Sequence, residues 1–188
     1  EGAKKLGERL LAEVEVEGLS SVSPPSNSYF NIQCVDKLIS SPTPPVLELV
    51  SPPSAHHPSG AGKTSLVYLI IAYTVLPRSL PFSVPLGGHD AAIVVFDPLH
   101  HLSVPRLAQV MLNLIISKTG KDIDEATKIN IRSIVARSLT HVHILRPQSW
   151  PSLLATLRSL PDILFDGTRH KSMHRRIHSL VLKDIDAF

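Results

Sequence analysis

The clearest chemical pattern in this sequence is a pair of closely spaced glycines followed by a lysine and a threonine. Glycines allow backbone N–H groups to converge on a phosphate, a lysine neutralises the phosphate charge, and a hydroxyl can bind a magnesium ion. We therefore predict an ATP-binding loop, with Thr64 also contacting Mg²⁺. Its residues are Ser59, Gly60, Ala61, Gly62, Lys63, Thr64 and Ser65.

This chemistry requires a strand before the loop and a helix after it. Residues 46–50 predict the strand, and Lys63–Val75, followed by Pro77, predicts the helix. The full phosphate-loop pattern begins with a glycine where this chain has His57. That departure leaves open an alternative, in which the loop is vestigial and the protein is a scaffold that binds no nucleotide.

The remainder of the domain alternates strands and helices. Residues 91–96, 142–145 and 179–182 predict strands, and residues 104–117, 122–138 and 149–160 predict helices. The continuous apolar run at 91–96 is typical of a strand covered on both faces of a parallel sheet. We therefore predict an α/β fold with a mainly parallel sheet and helices on both faces. Since the longest apolar run is far shorter than the roughly 18 residues of a membrane span, we expect no membrane contact.

The N-terminal part predicts two further regions. Residues 1–19 form an amphipathic helix by their apolar spacing, and residues 20–45 form a Ser/Pro-rich linker with a short helix at 35–39. The single cysteine, Cys34, excludes an internal disulfide, and no signal-peptide pattern is present, so we expect a reducing, intracellular environment. The net charge of +3 permits an acidic partner such as nucleic acid without requiring one.

Four segments occur in an order that characterises a known family. They are residues 46–50 with 58–64, residues 94–97 with His100 and His101, residues 142–147 with Trp150, and residues 179–182 with Asp184. Together they resemble the eukaryotic RecA-type recombinase paralogues, in particular a fungal form of the X-ray-repair cross-complementing type. The resemblance covers about residues 44–188.

This resemblance implies a RecA-like P-loop ATP-binding domain over residues 46–188. It also implies a nuclear subunit that assembles with another recombinase paralogue and acts on DNA, where it supports double-strand break repair by homologous recombination. Active members continue past the position of Phe188 into further strands and DNA-binding loops, so the implied core is partial.

Two positions depart from the active members of that family. A catalytic glutamate is expected where this chain has Leu99, and a leucine cannot act as a base. A metal-binding aspartate is expected at Lys183, and the carboxylate comes one residue later, at Asp184. Because strand side chains alternate in direction, that shift turns Asp184 away unless the strand end bends.

We therefore expect weak or absent hydrolysis. Thr64 and Asp184 remain the candidate metal ligands, and Lys183 could itself take the magnesium position. A second alternative, a small-molecule P-loop kinase, would require an arginine-rich lid and an intact magnesium carboxylate, and the sequence shows neither.

Other polar residues allow two interpretations each. The basic residues Arg169, Lys171, Arg175 and Arg176 contact DNA phosphates or lie in a solvated connection. Asp97 holds a water near magnesium or caps the turn that follows it.

Three further features favour a structural interpretation. The pairs His56–His57 and His100–His101 lack partners at zinc-like spacing and are expected on the surface. Phe30 sits where recombinases carry a docking phenylalanine, but Gln33 replaces the small residue expected after it. We therefore interpret Phe30 as a local anchor.

Overall fold

The protein is described by a computed structural model covering residues 29–37, 39, 46–50, 62–81, 84–120, 124–168 and 170–184. The chain divides into two compact units, Glu1–Ile70 and Ile71–Phe188. The predicted helix at residues 1–19 and most of the predicted linker lie outside the described residues. So do three loop residues, Ser59, Gly60 and Ala61.

In the first unit, Asp36 organises a turn around the short helix α1, Gln33–Asp36. Its carboxylate accepts backbone N–H bonds from Tyr29 at 3.0 Å, from Phe30 at 2.7 Å and from Ile32 at 3.0 Å. Phe30 is buried, and its ring meets that of Tyr29 edge-on with centroids 4.9 Å apart. Phe30 is thus held by its own segment, in agreement with a local anchor.

Residues 46–50 form no strand, which corrects our prediction. They have no regular secondary structure, and Val46 and Val50 are 96% and 73% exposed. A strand is stabilised by hydrogen bonds to a neighbouring strand, and the β-propensity of valine and leucine does not supply that partner. Within the described part of the chain, the phosphate-loop pattern therefore has its helix but not its strand.

Helix α2, Lys63–Val75, has the predicted bounds and passes from the first unit into the second. The chain then reaches the sheet through a loop that approaches the end of α2 closely at Gly88. A Cβ atom on Gly88 would lie 2.1 Å from the carbonyl oxygen of Leu76, so only glycine fits at this approach.

The second unit contains a three-stranded parallel sheet in the order β2-β1-β3. The strands are β1 (Ala92–Phe96), β2 (Val142–Leu145) and β3 (Ile177–Leu182). In the register, Val94 of β1 lies between His143 of β2 and Leu180 of β3. Every residue of β1 is buried, as its continuous apolar run predicted. The α/β class and the parallel sheet are confirmed.

Three helices accompany the sheet: α3 (Val104–Thr119), α4 (Glu125–Leu139) and α5 (Trp150–Leu164). The side chain of Ser103 caps the start of α3 by accepting the N–H of Arg106, and the helix ends at Gly120, where φ is +88°. Helices α3 and α4 contact each other. No helix in the described residues is long and apolar enough to cross a membrane.

Helix α5 covers one face of β1 and is longer than predicted. Its buried Leu153 packs with Val94 and Phe96, and Leu157, Leu160 and Leu164 pack against that cluster. The helix continues beyond Leu160 although Pro161 removes a backbone donor. The partly buried Leu164 lies beyond the proline, and its packing against the cluster favours continuation of the helix.

Candidate functional site

The described part of the phosphate-loop pattern begins at Gly62. Its φ of +82° is a conformation that favours glycine, and a Cβ atom there would meet nothing within 4 Å. Glycine is therefore required by the backbone rotation and not by a lack of space. The carbonyl of Gly62 accepts the N–H of Leu66 at 2.9 Å, which begins α2 with Lys63 and Thr64 in its first turn.

A second polar group lies where the parallel strands β1 and β3 end. We call it the carboxyl-end cluster, and its members are Asp97, His101, Lys183 and Asp184. The backbone N–H of Lys183 donates to the carbonyl of Phe96 at 3.0 Å, so the two strand ends stay paired up to the cluster. The ammonium of Lys183 contacts the carboxylate of Asp184 and lies 4.0 Å from Oδ1 of Asp97.

Within this cluster, Asp97 serves as the cap of the following turn. Its side chain is fully buried, and its two oxygens accept the N–H groups of His101 and Leu102, both at 3.0 Å. Leu99 lies within the turn that Asp97 caps, and 47% of it is exposed. Of the two interpretations of Asp97, the geometry shows the cap.

The backbone bends at Asp184, two residues after the end of β3, and such a bend allows the carboxylate to turn back toward the strand end. Its φ is +49°, and its Oδ2 lies 2.9 Å from Nδ1 of His101. Burial raises the pKa of Asp184, but hydrogen bonds and charge from Lys183 and His101 outweigh it, so the pKa lies below its ordinary value. Asp184 is thus ionised and engaged by two internal partners.

These residues do not fit a magnesium site well. Magnesium requires near-octahedral oxygen ligands, usually including one or two carboxylates. In the carboxyl-end cluster both Asp97 oxygens already accept backbone hydrogen bonds, and a lysine ammonium lies against both carboxylates. No group of three or more potential metal-ligating side chains occurs among the described residues, which include His100 and His101 but not His56 and His57.

The basic residues before β3 differ in exposure: one is paired within the protein and others are exposed to solvent. The guanidinium of Arg175 lies 2.6 Å from the Asp90 carboxylate and donates to the carbonyl of Val75 at 2.9 Å, with only 12% of its side chain exposed. Lys171 and Arg176 are exposed, and Arg169 lies outside the described residues. Arg175 therefore ties the segment directly before β1 to the last residue of α2, and of the predicted DNA-contact residues Lys171 and Arg176 remain exposed in the described part of the chain.

Sequence reasoning missed a group of histidines gathered around Ser172. The hydroxyl of this buried serine lies 2.8 Å from Nδ1 of His141 and 3.0 Å from Nε2 of His143. The ring of His143 also meets that of His170, and the ring of His141 meets that of His174. The His-x-His spacing at 141 and 143 was the available signal, because alternate residues of a strand point to one face.

No protein-family model matches the chain, and no curated protein matches it.

Proposed function

We propose that this protein is an ATP-binding RecA-like recombinase paralogue that supports DNA double-strand break repair by homologous recombination, as a nuclear subunit of a paralogue complex. The observation that carries the proposal is Gly62, whose left-handed backbone leads directly into a helix with Lys63 and Thr64 in its first turn. The N-terminus of a helix favours anions, and a lysine there adds a full positive charge.

The parallel sheet supports the same proposal. Open α/β sheets bind ligands beyond the carboxyl ends of their strands. In this protein the polar residues Asp97, Lys183 and Asp184 follow two such ends directly. With Leu99 at the position of the expected base, the proposed role is nucleotide binding with little hydrolysis.

Lys63→Ala tests the nucleotide site. We expect it to weaken binding of a fluorescent ATP analogue by about tenfold or more, because a charge-assisted contact to phosphate is lost. Fluorescence anisotropy with the purified chain measures this affinity. Lys118→Ala, in the exposed last turn of α3, is the matched control and should leave the affinity unchanged.

An affinity that Lys63→Ala does not change would show that the loop is not the binding site. If the wild-type chain binds no nucleotide at all, the vestigial-loop scaffold, which the departure at His57 leaves open, becomes the better assignment.

The recombination role predicts a specific partner. A tagged full-length chain is expected to co-purify another recombinase paralogue, and loss of the protein should sensitise cells to DNA crosslinking agents. Mass spectrometry of the purified complex and survival curves measure the two effects. A chain that recovers no recombinase relative, and whose loss leaves crosslink sensitivity unchanged, would rule the role out.

A further inference from the structure

Lys183 lies at the carboxyl end of a parallel strand, the position at which open α/β sheets bind their ligands. It directly follows β3, its side chain is only 10% exposed, and its ammonium lies against Asp184 and within 4.0 Å of Asp97. A buried ammonium must be compensated by negative charge, and these two carboxylates supply it. The ammonium of Lys183 therefore neutralises the two carboxylates that lie at the carboxyl ends of β1 and β3.

A divalent cation would have to displace that ammonium. Each Asp97 oxygen accepts one N–H group, from His101 or Leu102, and keeps a further lone pair, so the Lys183 ammonium is the group that competes with a metal ion there. Asp184 is held by His101 and by the same ammonium. A magnesium ion placed between the carboxylates would also be repelled by the lysine charge at close range.

We infer that Lys183 is the resident cation of the carboxyl-end cluster, which consequently excludes divalent metal ions.

Manganese titration tests this inference without nucleotide. Electron paramagnetic resonance of free Mn²⁺ should detect no binding site that depends on Asp184 in the wild-type chain. The Mn²⁺ titration curves of the wild type and of Asp184→Asn should therefore coincide. Lys183→Met, which keeps an unbranched side chain without charge, should create one such site, because two carboxylates are then left without a cation. The double variant Lys183→Met/Asp184→Asn should lose it, and Lys118→Met should gain none.

Two results would overturn the inference. One is a wild-type Mn²⁺ site that Asp184→Asn abolishes. The other is a folded Lys183→Met variant, checked by circular dichroism, that gains no Mn²⁺. If Lys183→Met does not fold, the comparison of wild type with Asp184→Asn still decides the question.

Discussion

Replacing Asp97 by alanine is expected to lower the free energy of unfolding by about 3 kcal/mol, a large part of the total stability of a small domain. The carboxylate is fully buried and accepts the N–H groups of His101 and Leu102. Alanine leaves both donors without their acceptor and removes one of the two carboxylates that compensate Lys183.

Urea unfolding followed by circular dichroism measures this change. Asp97→Asn keeps one acceptor oxygen and should recover part of the loss. Asp166→Ala is the matched control, since Asp166 also caps a turn, by accepting the N–H of Thr168 at 3.0 Å, but does so in an exposed segment. We expect that control to cost about 0.5 kcal/mol. Equal losses for Asp97→Ala and Asp166→Ala would show that burial does not strengthen the cap.

The elements of the second unit were predictable because their apolar patterns are local. The continuous run of β1 and the apolar stripe of α3 depend on burial alone, and both elements formed close to their predicted bounds. Residues 46–50 carry a similar apolar signal, but a strand also requires a hydrogen-bonding neighbour, which no local pattern specifies. The extension of α5 beyond Pro161 also depends on a non-local contact, the packing of Leu164 against the cluster around Leu153.

The candidate site was predictable in its residues but not in its contacts. The sequence places Asp97, Lys183 and Asp184 at strand ends, since parallel strands bring those ends to one edge of the sheet. The bend at Asp184 is a backbone rotation of one residue, and no side-chain pattern encodes it. The pairing of Arg175 with Asp90 joins residues far apart in the chain, so only the folded sheet reveals it.

The group of histidines around Ser172 gives the fold a sensitivity to acid. His141 is buried, and the pKa of its imidazole is lowered to about 4, first by burial and then by the positive charge of Arg175 and by His174, with Asp90 acting in the opposite direction. Burial and the neighbouring His170 lower the pKa of His143 as well. The single hydroxyl proton of Ser172 can be donated to only one of these rings, so the other ring must donate to its oxygen.

We therefore expect the protein to lose stability as the pH falls from about 6.5 towards about 4. Over that range His141 is protonated in the unfolded chain, where its pKa is close to 6.5, but remains neutral in the folded chain. The unfolded state then binds more protons, so protonation favours unfolding. The pKa difference between about 6.5 and about 4 corresponds to a loss of about 3 kcal/mol from His141 by pH 4.

Urea unfolding at a series of pH values measures this loss. His141→Asn removes the titrating imidazole and retains an amide near the position of Nδ1, so it should lower stability near neutral pH while flattening the decline below it. His100→Asn is the matched control, because His100 is exposed and its φ of +58° is one that asparagine tolerates. That control should decline with the same slope as the wild type. If His141→Asn and the wild type lose stability in parallel between these pH values, the proton uptake occurs elsewhere and the buried imidazole is not the acid-sensitive group.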